Sequence, residues 1–266
     1  MLSYKNYSHP RLSPNSVTNI DDLVFYGHNN SKNKLLCQTD EISCYELIRE
    51  ETYKYNYNFN KFGFRDTWKL DSNKPNIGFF GCSFTFGEFV ESDKIFPTLV
   101  SDCLGYNGFN FGIGGSGIER TAYLFSAANR VIDLDYAVIT LPDWNRTLYL
   151  NNDSNGISYL DLIHTVGHNK IIDSFKKIIY SFSDDYFIHQ AIRNINWIID
   201  VAEKHSVKLL VSSWEENTSK LVDTVFPQHS IGKFDILDKV IDGHHPGEFS
   251  HEQYAKKIIK VLNETI

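Results

Sequence analysis

The stretch NIGFFGCSFTFG, residues 76–87, decides the fold. Its first half, residues 76–81, is a short apolar run that stops at a glycine, which is typical of a buried strand. Ser83 follows directly and stands between two glycines. At that point a side chain can project from the end of a strand into a cleft. Taken alone, such a serine is a turn residue more often than a nucleophile.

Outward from this stretch, strands and helices alternate. Further apolar runs lie at residues 106–113, 136–141 and 207–214. Between and after them, apolar residues recur at the three- and four-residue steps of helices. This alternation predicts an α/β fold of three layers, with a parallel sheet in the strand order 2-1-3-4-5 and helices on both faces. Ligands of such folds bind beyond the carboxyl ends of the strands, so functional residues are expected just after each strand.

The sequence predicts one main domain, residues 76–266, with an N-terminal extension, residues 1–75. In the extension, aromatic and polar residues alternate over 53–64, which indicates a half-buried strand or hairpin, and a short helical stripe covers 42–50. Such aromatic residues can face one partner surface but cannot enclose a core. We therefore expect the extension to pack on the main domain. Residues 142–184 form either a loop that shapes a substrate pocket or a decorated surface loop.

Composition excludes several classes of protein. The 26 Lys and Arg against 33 Asp and Glu give a net charge of −7, so no basic surface indicates nucleic acid as a partner. No apolar run approaches the roughly 18 residues that cross a bilayer, and the first residues lack a secretory signal. The cysteines match no zinc-binding spacing; they are Cys37, Cys44, Cys82 and Cys103. These features predict a cytoplasmic protein and leave its oligomeric state open.

A second motif, DGHHP at residues 242–246, precedes the last helical stripe. An Asp three residues before a His lets Asp242 orient Nδ1 of His245 and leaves Nε2 free as a base. Two alternatives stay open from the residues alone. One is a helix-capping loop with histidines in solvent, and the other is a metal site of Asp242, His244 and His245, which no further His or Cys cluster completes. We expect His251, in the final helix, at the surface.

Together, Gly-x-Ser-x-Thr-x-Gly and Asp-x-x-His-Pro resemble the end blocks of the SGNH (GDSL-like) hydrolase family, over roughly residues 76–264. The segment NKFGFR, residues 60–65, is similar to a lead-in of some members. The resemblance implies a flavodoxin-like SGNH-hydrolase fold and a serine esterase that uses no cofactor. Ser83 would be the nucleophile, His245 the base and Asp242 its orienting acid. The implied substrates are short acyl esters of small molecules, with acetylated carbohydrate favoured because aromatic residues gather near the site.

The interior blocks of the family are matched less evenly. The glycine-rich loop NFGIGGS, residues 110–116, implies that the N–H of Gly115 joins that of Ser83 in an oxyanion hole. The third block usually reads Gly-x-Asn-Asp, whereas this chain has LPDWNR at residues 141–146. Asn145 therefore falls one position late, and we expect it to be the third oxyanion donor. Residues that follow strands are further expected in the substrate pocket; they are Trp144, Arg146 and Trp214, with Arg146 as the substitute donor.

Two other functions stay open. The irregular third block fits a non-catalytic SGNH-like binding or structural subunit, for instance a component of a virion. The loop GIGGSG, residues 112–117, is a literal G-x-G-x-x-G between a strand and a helix, which is the signature of dinucleotide binding. Because that function leaves Ser83 and residues 242–246 unexplained, dinucleotide binding is the minor alternative.

Overall fold

The computed structural model describes residues 43–48, 54–60, 62–65, 71–146, 148–153, 156–161 and 182–264. The strands are β1 Ser43–Ile48, β2 Lys54–Phe59, β3 Asn76–Gly81, β4 Asn107–Gly112, β5 Tyr136–Leu141, β6 Leu148–Asp153, β7 Gly156–Asp161 and β8 Lys208–Ser213. The helices are α1 Ser83–Phe86, α2 Phe96–Leu104, α3 Ile118–Ala128, α4 Asp184–Lys204, α5 Glu216–Val225 and α6 Glu248–Glu264. Within these segments, no helix has both the length and the apolar character needed to cross a bilayer.

A parallel sheet in the order β4-β3-β5-β8 forms the centre of the domain. This is the predicted order for the first four strands, and the α/β fold class is confirmed. Inside the segment 142–184, β6 and β7 pair as a separate antiparallel hairpin. Residues 162–181 of that segment lie outside the described part of the chain.

The prediction of a fifth strand is wrong for the described residues. An extended segment takes its place beside β8, where the N–H of Val211 donates to the carbonyl of His229 (2.8 Å) and the N–H of Ile231 donates to that of Val211 (3.0 Å). The ladder ends there as an isolated parallel bridge. Gly232 has φ +71°, outside the extended region, and interrupts the register, since the next bond to β8 comes from the N–H of Phe234 to the carbonyl of Ser213 (2.9 Å), one residue later than a regular ladder requires.

Side chains of the central strands point alternately into two apolar clusters, one on each face of the sheet. On β3, Ile77 and Phe79 belong to the cluster under α2 and α6, whereas Phe80 belongs to the cluster under α3 and α4. Phe80 stacks on Phe111 of β4, with 4.6 Å between ring centroids. Full burial of each such ring contributes about 1.5–3 kcal/mol. These two cores produce the three-layer arrangement.

The described part of the N-terminal extension contains an antiparallel hairpin, β1 paired with β2. A strand was predicted for β2, but the helical stripe predicted at 42–50 is wrong, because pairing with β2 overrides the weak local pattern. After β2, Phe64 packs edge-on against Phe111 of the sheet, with centroids 5.1 Å apart. Residues 1–42 lie outside the described part, so the packing of the whole extension stays a prediction.

His251 was expected at the surface, and that prediction is wrong. The side chain is fully buried between α6 and α2, and its Nδ1 accepts the N–H of Phe96 at 3.2 Å. Ile95, which precedes α2, has no side chain that can cap the helix, so His251 supplies the missing acceptor. Burial lowers the pKa of His251 to about 3, and the positive charge of Arg65 adds to this effect.

Replacement of His251 should change how stability depends on pH. The unfolded chain takes up a proton on His251 below pH 6.5, whereas the folded chain resists protonation down to about pH 3. Stability should therefore fall with decreasing pH in this window, by up to about 1.4 kcal/mol per pH unit from this group alone. His251→Asn, which keeps an acceptor, should remove that contribution. Urea unfolding between pH 7.5 and 5 measures it.

The exposed His205 provides the control, since His205→Asn should keep the pH dependence of the wild-type protein. If His251→Asn and the wild-type protein lose stability in parallel as the pH falls, another group is responsible.

Candidate active site

Ser83 lies at the carboxyl edge of the sheet because two glycines allow an abrupt turn from β3 into α1. At Gly81, with φ +155°, a Cβ would lie 2.3 Å from Thr85 Oγ1 and 2.4 Å from the carbonyl oxygen of Thr140. Gly87 ends α1 in the left-handed conformation, with φ +79°. The turn leaves Ser83 only 5% exposed as the first residue of the short helix.

The loop that carries Asp242 and His245 is anchored to the start of α6. The carboxylate of Asp238 accepts the N–H of Ser250 at 2.7 Å and thereby caps the helix. At Gly247, a Cβ would lie 2.2 Å from Asp238 Oδ2, so the loop can approach this carboxylate only at a glycine. The anchor fixes the position from which His245 reaches the sheet edge.

Ser83, His245 and Asp242 meet in one hydrogen-bonded line. Nε2 of His245 lies 2.8 Å from Ser83 Oγ, and Nδ1 lies 2.5 Å from Asp242 Oδ2. The other carboxylate oxygen of Asp242 accepts the backbone N–H groups of His244 and His245. Burial by itself raises the pKa of Asp242, but these hydrogen bonds outweigh it and hold the pKa below its ordinary value. The line can pass a proton from the serine to the imidazole.

The alternative of a metal site at this loop gains no further ligand. Among the residues that the structure describes, no three His, Cys, Asp or Glu side chains are grouped as metal ligands. Both ring nitrogens of His245 already contact Ser83 and Asp242. His244 is exposed; burial of part of its ring, followed by the charge of His245, lowers its pKa.

Glu88 reaches the same place, and the sequence analysis missed it. Its Oε2 lies 3.6 Å from His245 Nε2, and the two side chains are 17% and 13% exposed. The N–H groups of Gly87 and Glu88 both donate to the carbonyl oxygen of Ser83, at 2.9 and 3.1 Å. The sequence signal is slight: an acid directly after the second glycine of the motif, and nothing local separates it from its exposed neighbour Glu91.

Two residues of the N-terminal extension hold the turn that carries Glu88, residues 86–90. Arg65 is fully buried, and its guanidinium donates to three backbone carbonyl oxygens, those of Phe86 (2.8 Å), Gly87 (2.5 Å) and Val90 (2.5 Å). The hydroxyl of Tyr57 accepts the N–H of Phe89 at 2.6 Å. Phe89 has φ +62°, a left-handed conformation that costs a non-glycine residue about 1–3 kcal/mol. Arg65 and Tyr57, which we call the Arg65 clamp, offset this strain with their hydrogen bonds. The NKFGFR segment, residues 60–65, therefore has a structural role.

The glycine-rich loop after β4 lies beside the Ser83 turn. Ser116 Oγ donates to the carbonyl oxygen of Gly81 at 3.1 Å, and Gly115 has φ +80° with open space around its Cβ position. At Gly112 a Cβ would lie 2.2 Å from the backbone nitrogen of Phe86. Close approach of α1 therefore explains the first glycine of the G-x-G-x-x-G pattern, without a nucleotide.

The third block separates into residues with different surroundings. Trp144 packs against the apolar cluster under α3 and α4, and its backbone N–H donates to Thr218 Oγ1 at 3.2 Å. Asn145 is half-buried in a turn, and its N–H donates to Asp143 Oδ1 at 3.0 Å. Arg146 is 7% exposed. Of the three predicted residues, Arg146 is the one buried beside the glycine-rich loop.

Arg146 connects that loop to Trp214. Its Nη1 donates to the carbonyl oxygen of Ser116 at 3.4 Å, and its guanidinium lies over the indole of Trp214 at 5.4 Å. Phe84, next to the candidate nucleophile, stacks on the same indole with centroids 4.5 Å apart. Since protein groups already lie against its ring, Trp214 contributes to the wall of the site rather than an open face for a sugar. Nε of Arg146 and Nε1 of Trp214 are buried and have no acceptor in the described segments.

Comparison with solved structures establishes the fold. The structure of TesA matches with a TM-score of 0.51 and 13% identity over 72% of this chain and 99% of that chain. A carbohydrate esterase family 2 enzyme of Corynascus thermopiles (Myceliophthora fergusii) matches with a TM-score of 0.47 and 12% identity over 73% of this chain and 67% of that chain. Another carbohydrate esterase matches with a TM-score of 0.46 and 14% identity over 85% of this chain and 84% of that chain. No protein-family model and no curated protein matches the sequence. The protein has the SGNH-hydrolase fold.

Loss of the Arg65 clamp should destabilise the protein. Each hydrogen bond to a charged group contributes about 1.5–3 kcal/mol, so Arg65→Met should lower the free energy of unfolding by about 3 kcal/mol or more. Urea unfolding measures this change. The control is Arg193→Met, because Arg193 is 55% exposed and 4.0 Å from Glu119. It should shift stability by no more than about 0.5 kcal/mol. A loss below about 1 kcal/mol in Arg65→Met would mean that the turn of residues 86–90 holds without the clamp.

Proposed function

We propose that the protein is a serine ester hydrolase for short acyl esters. The observation that carries this proposal is the line from Ser83 Oγ to His245 Nε2, at 2.8 Å, and from His245 Nδ1 to Asp242, at 2.5 Å. A nucleophile within hydrogen-bond distance of a base that a carboxylate orients is the arrangement that acyl transfer requires. Its place beyond the carboxyl ends of the strands, in an SGNH-hydrolase fold, supports the same function.

The reaction proceeds in two stages. Ser83 Oγ attacks the acyl carbonyl carbon while His245 Nε2 accepts the hydroxyl proton, and the carbonyl oxygen becomes an oxyanion. When the intermediate collapses, the bond to the alcohol oxygen breaks and His245 returns the proton to that oxygen. A water then attacks the acyl carbon while His245 accepts one of its protons. The bond from the acyl carbon to Ser83 Oγ breaks, His245 returns the proton to Oγ, and the acid leaves. Asp242 keeps the imidazole oriented and stabilises its positive charge.

The oxyanion requires hydrogen-bond donors on the other side of Ser83. The backbone N–H groups of Ser83 and Gly115 are the candidates for two of them, because Ser116 ties the loop of Gly115 to the Ser83 turn. The third donor was expected to be Asn145. The burial of Arg146 and its contact with Ser116 favour Arg146 instead, since a guanidinium has several N–H donors in a fixed planar arrangement.

A non-catalytic binding subunit is the second candidate function, and the third block favours it. In this chain Trp144, which packs against the core, occupies the position at which the family usually has an asparagine. Loss of one oxyanion donor lowers a rate by about 10²–10³, so a protein without any substitute would be a poor enzyme. Activity measurements decide between the two functions, whereas the acyl chain and the alcohol of the natural ester need a substrate survey.

Replacement of Ser83 should abolish both activity and labelling. The wild-type protein should hydrolyse p-nitrophenyl acetate and react with a fluorophosphonate probe, whereas Ser83→Ala should do neither, with kcat lower by at least about 10³-fold. Ser72→Ala, which removes the hydroxyl of an exposed serine before the amino end of β3, is the control and should be labelled normally. An unlabelled and inactive wild-type protein would support the binding subunit.

Substitution of the two donor candidates should identify the third oxyanion donor. We expect Arg146→Met to lower kcat for p-nitrophenyl acetate by about 10²-fold, with KM little changed, because the donor acts on charge that develops in the transition state. Asn145→Ala should change kcat by less than about threefold, which is small compared with the loss of a donor. The opposite result would assign the role to Asn145, and two silent substitutions in an active enzyme would remove this loop from the oxyanion hole. Circular dichroism verifies that each variant is folded.

A further inference from the structure

Glu88 is a charged side chain at the reaction centre that the proposed mechanism does not use. Its carboxylate lies 3.6 Å from His245 Nε2, the same nitrogen that contacts Ser83 Oγ at 2.8 Å. The other ring nitrogen, Nδ1, is held by Asp242. Glu88 therefore faces the side of the imidazole on which bonds are made and broken, and not the side that orients the ring.

The backbone at Glu88 is held by hydrogen bonds from both sides of the chain. Its own N–H donates to the carbonyl oxygen of Ser83, and the next residue, Phe89, has a left-handed backbone. Tyr57 and Arg65 hold the same turn from the N-terminal extension. Backbone strain that the surrounding structure maintains is found mainly at functional sites, and here it lies one residue after Glu88.

The mechanism determines what lies beside that carboxylate. Nε2 of His245 returns its proton to the oxygen of the departing alcohol, so this oxygen must come within hydrogen-bond distance of Nε2. The carbon atoms of the alcohol then lie next to Glu88. The oxyanion cannot occupy this side, because a carboxylate would repel it and donors are needed instead.

We infer that Glu88 is a specificity-determining residue that accepts a hydrogen bond from a second hydroxyl group of the alcohol, on the carbon adjacent to the one that bears the ester oxygen. This inference rests on the proposed esterase function and defines its substrates more closely as monoesters of diols, polyols or sugars. A carboxylate accepts hydrogen bonds and repels other anions, so alcohols that carry a carboxylate or phosphate are disfavoured. An alcohol without a second hydroxyl leaves the carboxylate without that bond.

Two acetates of equal size test the inference. The compounds 2-hydroxyethyl acetate and propyl acetate differ by a hydroxyl in place of a methyl at the end of the alcohol, and both release acetic acid that a pH-stat measures. The ratio of their kcat/KM values is the readout. A site that hydrogen-bonds a substrate hydroxyl discriminates by about tenfold or more, so Glu88→Met should lower the ratio by at least that factor. A purely structural effect of the substitution would lower both values and leave the ratio unchanged.

Glu91→Met is the matched control, because Glu91 is an exposed acid in the same loop and should keep the wild-type ratio. If Glu88→Met slows both esters equally, Glu88 assists His245 or the attacking water, and the inference is wrong. If the ratio and both rates are unchanged, Glu88 does not contact the substrate, and the inference is also wrong. A wild-type protein that hydrolyses neither ester and is not labelled by the fluorophosphonate contradicts the proposed function as well, whereas activity with an unaltered ratio contradicts the role of Glu88 alone.

Discussion

The hydrogen bond between Ser83 Oγ and His245 Nε2 joins residues 162 positions apart in the chain, and the rest of the site depends on it. A displacement of about 1 Å between reacting groups can cost a hundredfold in rate, so both ends must be held firmly. On the serine side, Gly81 and Gly112 let α1 lie against the strands at distances that exclude a side chain. On the histidine side, Asp242 holds both the ring and the backbone of the loop. Close packing in the fold is thus a requirement of the chemistry.

Charges are distributed unevenly around this hydrogen bond. Two carboxylates, Asp242 and Glu88, flank the imidazole, whereas the guanidinium of Arg146 lies beside the glycine-rich loop. In acyl transfer the imidazole becomes positive and the carbonyl oxygen becomes negative at the same moment. In the proposed mechanism, the carboxylate of Asp242, which holds the imidazole, and the positive group near the oxyanion loop would therefore stabilise each developing charge with no rearrangement during the reaction.

Much of the fold could be predicted because buried parallel strands have a simple sequence pattern. Residues 76–81 form a continuous apolar run since both faces of the strand are covered, and the meeting of Ser83 with the histidine loop follows from the shared edge of the sheet. Glu88 and His251 could not be predicted in the same way. Each has a role that depends on a partner from a distant segment, which no local pattern contains. The described residues contain no fifth strand of the central sheet because the positive φ of Gly232 interrupts the ladder beside β8.

The clamp from the N-terminal extension has a consequence for exchange between related proteins. Arg65 and Tyr57 lie outside the sheet domain in sequence, yet they fix a turn that begins three residues after Ser83. The predicted boundary near residue 75 would thus separate elements of secondary structure without separating the parts of the candidate site. A chimaera that joined this sheet domain to a foreign leading segment would keep Ser83 and His245, but it would lose the geometry of the turn that carries Glu88 unless the graft brought an arginine and a tyrosine of equal reach. The residues that hold the candidate site in place therefore extend beyond the sheet domain into the N-terminal extension.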